Sequence, residues 1–417
     1  MNEDRISLLN QSNGVACDIP NGTFARLQSQ PLPSIPDYHG ASLVNLMASI
    51  TEGLGGRPRH APLRALGAAE CRAAQRIVLL VIDGLGERQL RELIPDGALA
   101  ASHRATIDSV FPPTTASAIT TTYTGATPLE HGLTGWHVYF PDASCVAAAL
   151  PMLSRGDEVP LVQRGLSAAR AFSEASLFDT LSVPTAVVTD RRIIDSGYNR
   201  HHCGGAARHA YADIGALVDL TTAAAHGMRG PGLVYSYWPD FDSAAHRYGP
   251  GSAQAATRAR TIDAAFARLR ESLAGSDTLL VATADHGFID TPAAHCLDLS
   301  EADGLSALLR LPLCGERRSA FCHIQPGRVL EFAARARDWL GERADVRPCG
   351  ELIDEGWFGP GLAHRQFAER IGDVALLMRD DWSVKDWIRG EARYLHCGNH
   401  GGTSADELRI PLVVAAC

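Results

Sequence analysis

Apolar residues fall in short unbroken runs separated by amphipathic stretches, the pattern of strands buried on both faces and covered by helices. Ile77–Ile82 (IVLLVI) is the firmest such run, and Thr185–Asp190 (TAVVTD), Leu233–Tyr237 (LVYSY) and Thr278–Ala284 (TLLVATA) repeat it. Ser42–Ile50, Ala210–Ala225, Ser252–Leu273 and Val329–Leu340 have helical spacing, while Ile107–Phe111 alternates like a strand. Ser319–Ile324 and Val374–Met378 read as further strands, the second as a return strand, and a capped short helix precedes a final apolar strand after His400. Strands alternating with helices predict an α/β fold: a doubly wound, mostly parallel central sheet flanked by helices. A smaller inserted lobe is expected around 288–382. Residues 1–40 read as an irregular N-terminal arm, and 41–417 as one main unit.

The strand ends carry the chemistry. Asp83-Gly84 follows the first strand, Asp285-His286-Gly287 follows TLLVATA, and His400 sits in the Gly-rich loop GNHGG. In open α/β sheets, ligands bind beyond the carboxyl ends of such strands. Asp242 and His246 stand four apart after LVYSYW, so one helical turn puts carboxylate and imidazole on one face. Between Phe111 and Thr120 a Pro pair stops the strand and a small-residue helix begins, which places a threonine hydroxyl at a helix N-terminus. Free N–H groups and the helix dipole bind anions there and stabilise a developing alkoxide. Thr115 is the candidate nucleophile and Thr114 the second. Three Asp and three His supply six ligands, enough for two divalent metals; mixed carboxylate and imidazole donors suit zinc best, with manganese or iron as alternatives.

Composition narrows the partners. The 417 residues are 46% hydrophobic with a net charge of −9, which argues against a nucleic-acid polymer as ligand. No basic start followed by an apolar run marks a secretory signal, and no apolar run reaches membrane-spanning length. Ten cysteines without a CxxC pair point to reduced thiols and a cytoplasmic protein. Oligomeric state is not legible.

The ordered motifs VIDG, FPPTT with its small-residue helix, TG…HG, PDFDSAAHRYGP, ADHG and GNHGG resemble the alkaline phosphatase superfamily, in its nucleotide pyrophosphatase/phosphodiesterase branch. The resemblance spans most of Ile77 to the C-terminus. It implies an alkaline-phosphatase-like catalytic domain with two metals. Asp83, Thr115, Asp285 and His286 match one metal site, and Asp242, His246 and His400 the other. Thr115, favoured over Thr114 by its distance to Thr124-Gly125, would form a covalent phosphoryl intermediate, which a water activated at the second site would hydrolyse. The expected substrate is a small phosphodiester, nucleotide or phosphonate, cleaved at a phosphodiester or pyrophosphate bond. Phosphonate or monoester hydrolysis, or a mutase, on the same core is the alternative reading, and a binding protein that keeps the fold is another. His396 is a spare histidine nearby. One departure stands out: where the family has a phosphoryl-binding Asn, this sequence has Trp136. Trp136, His137 and Tyr139 are therefore the candidate substrate contacts, with Phe140 and Trp238 as further aromatics beside them.

Overall fold

The computed structural model describes residues 35–417. Most of the irregular arm read from the sequence, up to residue 34, lies outside the described residues. Seven strands form the main sheet: β1 (Arg76–Ile82), β2 (His103–Asp108), β3 (Thr185–Asp190), β4 (Ala207–Tyr211), β5 (Gly232–Trp238), β6 (Thr278–Thr283) and β7 (Arg409–Ala416). Their order across the sheet is β2-β7-β6-β1-β5-β3-β4. β6, β1, β5, β3 and β4 pair in parallel, whereas β7 runs antiparallel to both β6 and β2.

The central strand shows why the sequence folds this way. Successive side chains of a strand point to opposite faces, and both faces of β1 are apolar. Ile77, Leu79 and Val81 pack with the helix Leu43–Gly53 and with Ile119 and Tyr123 of the helix Thr115–Thr124. Val78, Leu80 and Ile82 pack with the helices Ile214–Gly227 and Ala253–Ser272 on the other side. Two helical layers therefore sandwich the sheet.

A second, wholly antiparallel sheet lies beside it, in the order 344–348, 374–378, 319–322, 314–315, 137–140, 145–148, 153–154. Four of these strands come from the stretch 288–382 and three from the chain just after the helix Thr115–Thr124. Val374–Met378, read from the sequence as a return strand, sits inside this sheet between Ala344–Pro348 and Ser319–Cys322. All five of its residues are buried, and a continuous apolar run does not reveal which sheet will bury it.

Three local details differ from the sequence reading. The strand expected at Ile107–Phe111 lies earlier, at His103–Asp108, and Phe111 instead packs on the rings of Trp357 and Phe358. β4 (ARHAY) was invisible to hydropathy because it is an edge strand with mostly exposed side chains. The helix expected from Ala210 starts at Ile214, where the Asp213 side chain caps it by accepting from Ala216 N. Among the described residues eight cysteines carry free thiols, among them Cys314, Cys322 and Cys349. No helix among the described residues is long and apolar enough to cross a membrane.

Candidate active site

Strand register assembles the site. Val81 of β1 is level with Thr283 of β6, so Asp83 and Asp285, each two residues further on, leave the sheet side by side. Gly84 N donates to Asp285 Oδ1 at 2.9 Å and fastens the two turns together. Ile82 is level with Trp238 of β5, and the helix Asp240–Tyr248 begins just beyond it with Asp242 in its first turn. His286 follows Asp285, and Gly287 next to it is required: a Cβ there would stand 2.1 Å from Asp406 O.

Thr115 is the first residue of the helix Thr115–Thr124, and its Oγ1 lies 3.2 Å from His286 Nε2 and 3.5 Å from Asp83 Oδ1. Thr114 is the N-cap and its hydroxyl is engaged elsewhere, donating to Glu316 Oε1 at 2.5 Å. Of the two threonines, only Thr115 faces the carboxylate and imidazole cluster. The first-turn N–H groups of this helix have no intrahelical acceptor and frame an anion cradle around Thr115.

The three histidines are oriented alike. His246 Nδ1 pairs with Gly398 O at 2.9 Å, His286 Nδ1 with Gly287 O at 3.1 Å, and His400 Nδ1 with Pro113 O at 3.2 Å. Each Nδ1–H is thus committed to a carbonyl, which leaves each Nε2 as a lone pair turned into the site. The Nε2 atoms of His246 and His400 lie 3.2 Å apart, and Asp242 Oδ1 is 3.3 Å from the first and 3.8 Å from the second. Ligand atoms of Asp83, Asp285 and His286 lie within 4.8 Å of one another, and so do those of Asp242, His286 and His400. Asp242 Oδ1 and Asp285 Oδ2 are buried with no hydrogen-bond partner. Converging acceptors, two of them orphaned in a buried site, fit a pair of divalent cations. His286 lies between the two groups, sharing their border rather than belonging to one alone.

Electrostatics agree with that fit. Burial, reinforced by the charge of Asp242, pushes the Asp83 carboxyl well above the usual range; burial and Asp83 do the same to Asp285. Burial also pushes Asp242 up, but the facing His246, when it carries a proton in the metal-free state, outweighs burial and holds Asp242 low. A carboxyl whose folded-state pKa exceeds its unfolded value of about 4 stabilises the fold while protonated, and that contribution is lost as pH rises through the folded pKa. Metal-free protein should therefore lose stability from Asp83 and Asp285 as pH rises, and a bound divalent metal, replacing those protons, should restore it. The gap in Tm between zinc-loaded and chelated protein is expected to widen from about pH 5 to about pH 8; a gap that stays constant or narrows would count against these ligands.

Other residues surround this centre. Tyr237 of β5 donates its hydroxyl to Asp83 Oδ2. It went unnoticed in the sequence, where its only signal was a polar tip in an otherwise apolar strand. Glu316 was also missed; it lies in the charged triplet Glu316-Arg317-Arg318 between two strands. Its Oε1 accepts from Thr114 Oγ1 and from Trp136 N at 2.6 Å, and burial raises its pKa. Gly401, at φ +95°, passes so close that a Cβ would meet Glu316 Cγ at 2.6 Å. His396 stacks obliquely beside His246 with ring centroids 4.3 Å apart. Trp136 reaches Glu316 through its backbone, and His137 pairs with Gly315 across the second sheet. Tyr139 packs instead against His323 and beneath Arg310, in the apolar cluster around Phe321 and Phe358. Phe140 and Trp238 are core residues, 1% exposed each.

A hydroxyl, an anion cradle and metal ligands sharing one strand-end crevice are what phosphoryl transfer requires, and the protein is a phosphoric ester hydrolase of the alkaline phosphatase superfamily. The type I phosphodiesterase/nucleotide pyrophosphatase family model matches residues 77–403, and the chain belongs to that family. Among solved structures, murine ectonucleotide pyrophosphatase/phosphodiesterase 5 superposes with a TM-score of 0.62 at 16% identity, covering 81% of this chain and 87% of that one. An inactive form of the murine protein in complex with AMP superposes equally well, with a TM-score of 0.62 at 15% identity and the same coverage. Phosphonoacetate hydrolase from Sinorhizobium meliloti, in complex with phosphonoacetate, gives 0.57 at 16% identity over 82% of this chain and 90% of that one. No curated protein sequence matches the chain.

Proposed function

We propose that the protein hydrolyses a phosphodiester or pyrophosphate bond of a small molecule through a covalent phospho-Thr115 intermediate, with two divalent metals, zinc by preference. The observation that carries this reading is the position of Thr115 Oγ1, at a helix N-terminus and 3.2 Å from His286 Nε2. Asp83, Asp285 and His286 would hold one metal beside the Thr115 hydroxyl; Asp242, His246 and His400 would hold the other. Bound there, such metals lower the pKa of a coordinated hydroxyl or water and neutralise charge on phosphoryl and leaving oxygens.

The chain's own groups set the geometry. Thr115 Oγ1 attacks phosphorus from one side, forming the Oγ1–P bond as the bond to the leaving oxygen breaks on the other. The N-terminal N–H groups of the helix hold the non-bridging oxygens. Water then attacks phosphorus from the side the leaving group vacated, releasing Thr115. Asp242, His246 and His400 would line that side. The helix Thr115–Thr124 contains no Arg or Lys to hold the second charge of a monoester, which favours a singly charged diester group at the scissile phosphorus. The AMP and phosphonoacetate complexes of the structural neighbours support a small-molecule phosphate or phosphonate as substrate.

The test is kcat/KM of the metal-loaded enzyme for a diester such as bis(p-nitrophenyl) phosphate, a monoester and a phosphonate, with elemental analysis of the same preparation. The expected result is a diester preference, abolished by chelation. A clear preference for the monoester or the phosphonate would overturn the assignment of the bond cleaved.

A further inference from the structure

Beside the Asp242–His246–His400 side of the site, four cations gather around two carboxylates and the ring of Trp387. Two of the four are satisfied. Arg155 is 2% exposed and donates to both oxygens of Glu391, at 2.6 and 3.0 Å, with Asp386 Oδ1 2.8 Å away. Arg393 is 70% exposed and lies 3.7 Å from Asp298.

Arg317 and Lys385 are not satisfied in this way. Arg317 has no carboxylate within 4.0 Å among the described residues, and its Nη2 donates to Tyr394 O at 3.3 Å. Lys385, only 12% exposed, reaches Glu391 at 3.5 Å, but both oxygens of that carboxylate already accept from Arg155. Both cations lie against Trp387, 5.7 and 5.4 Å from its ring centroid. Neighbouring groups register the surplus charge. His137, already depressed by burial, is pushed further down by Arg155, Lys385 and Arg317. Lys385 itself is pushed down to about 8, by burial first and then by Arg155.

The position of these cations bears on the reaction. Arg317 directly follows Glu316, which binds Thr114 Oγ1 and the backbone of Trp136. On its other side, the ring of Tyr394 lies 5.0 Å from that of His396, and His396 lies 4.3 Å from His246. Through Tyr394 and His396 the cations border the imidazole side of the site, where the leaving group would depart, and through Glu316 Arg317 also neighbours the N-cap Thr114.

We propose that Arg317 and Lys385, braced on Trp387, form an oxyanion subsite for the leaving group, so that the substrate carries a carboxylate or a second phosphoryl group beyond its scissile bond. This rests on the phosphoryl-transfer reading of the site. It completes the charge pattern: metals at the scissile phosphorus, and two protein cations one group further out. The N-terminal anion cradle serves the transferred group and Arg317 and Lys385 serve the departing one, so two negative charges are bound without competing for the same donors.

The experiment uses metal-loaded Thr115→Ala protein, which binds without turning over, titrated calorimetrically with pyrophosphate, phosphoglycolate and methyl phosphate. Pyrophosphate offers a second phosphoryl group, phosphoglycolate a carboxylate and methyl phosphate neither. At least one of the two charged ligands should bind about tenfold or more tighter than methyl phosphate, and Arg317→Gln or Lys385→Gln should remove most of that preference while shifting methyl phosphate by less than about threefold. Which ligand shows the preference identifies the leaving-group anion. Arg317→Lys should retain much of it, separating charge from scaffolding. Equal binding of all three ligands, or variants that weaken all three alike, would overturn the subsite. Failure of the reading it rests on would look different: Thr115-intact protein would hydrolyse no phosphoester, while the binding preference and its loss in the variants persisted.

Discussion

Thr115→Ala is expected to lower kcat by about three orders of magnitude or more, the scale of loss when an enzyme's nucleophile is removed, while leaving metal content unchanged. The methyl and hydroxyl of Thr115 lie at the start of a helix whose next nine residues are buried, so trimming one side chain at its mouth leaves the packing intact. The metal ligands lose little, because three carboxylates and three imidazoles remain. Thr115→Ser should recover a large part of the rate, since the hydroxyl stays at the helix N-terminus. Acid quench of wild-type enzyme during turnover should trap phosphate on the chain, and the Ala variant should trap none. An Ala variant within tenfold of wild type would show that water attacks the substrate directly, and would remove Thr115 from the mechanism.

A second large effect is expected away from the chemistry. Arg318 and Glu407 form an ion pair, 1% and 0% exposed, with nitrogen to oxygen distances of 3.1 Å at both prongs. Glu407 also accepts from Gly402 N at 2.8 Å and from Ser404 Oγ at 2.7 Å, and its own carbonyl accepts from Gly287 N at 2.8 Å. One residue thus ties the His400 loop, the His286 turn and the second sheet together. Glu407→Ala leaves a guanidinium buried without its counter-charge, and should cost about 3–5 kcal/mol in urea unfolding. Replacing both partners with leucine should cost much less, because no charge is stranded. Metal affinity should fall in the single variant as the His400 loop loosens. A loss below about 1 kcal/mol would mean that water reaches Arg318 and that the pair is not the anchor the geometry describes.

The legible parts of this molecule were those where chemistry and position coincide locally. IVLLVI followed by Asp-Gly, and TLLVATA followed by Asp-His-Gly, announce buried strands that deliver ligands, because a parallel strand must be apolar throughout and a carboxylate at its end breaks that pattern. Asp242 and His246 were readable together because four residues make one helical turn. The second sheet was not readable as one object, since its strands come from two stretches on either side of β3 to β6, and pairing between distant segments leaves no periodic mark. Glu316 and Arg317 were hidden for the same reason: in the sequence they are two charges in a turn, and only the pairing of Gly315 with His137 sets them beside the helix Thr115–Thr124. Tyr139 shows the converse. Its closeness in sequence to the Thr115 helix suggested a substrate contact, and strand position alone did not reveal that its ring packs by Arg310 and His323.

The antiparallel strand β7 has a consequence for how the protein is made. It is inserted between β6 and β2, so β2, which leads toward the helix Thr115–Thr124, joins the sheet only through β7. A ribosome delivers β1, β3, β4, β5 and β6 as a contiguous parallel set that can pair as it emerges, while β2 waits with an open edge until residues 409–416 exist. His400 arrives just before them. The nascent chain can therefore hold a nearly finished sheet but no active centre, and the step that closes the fold is also the one that first creates the enzyme.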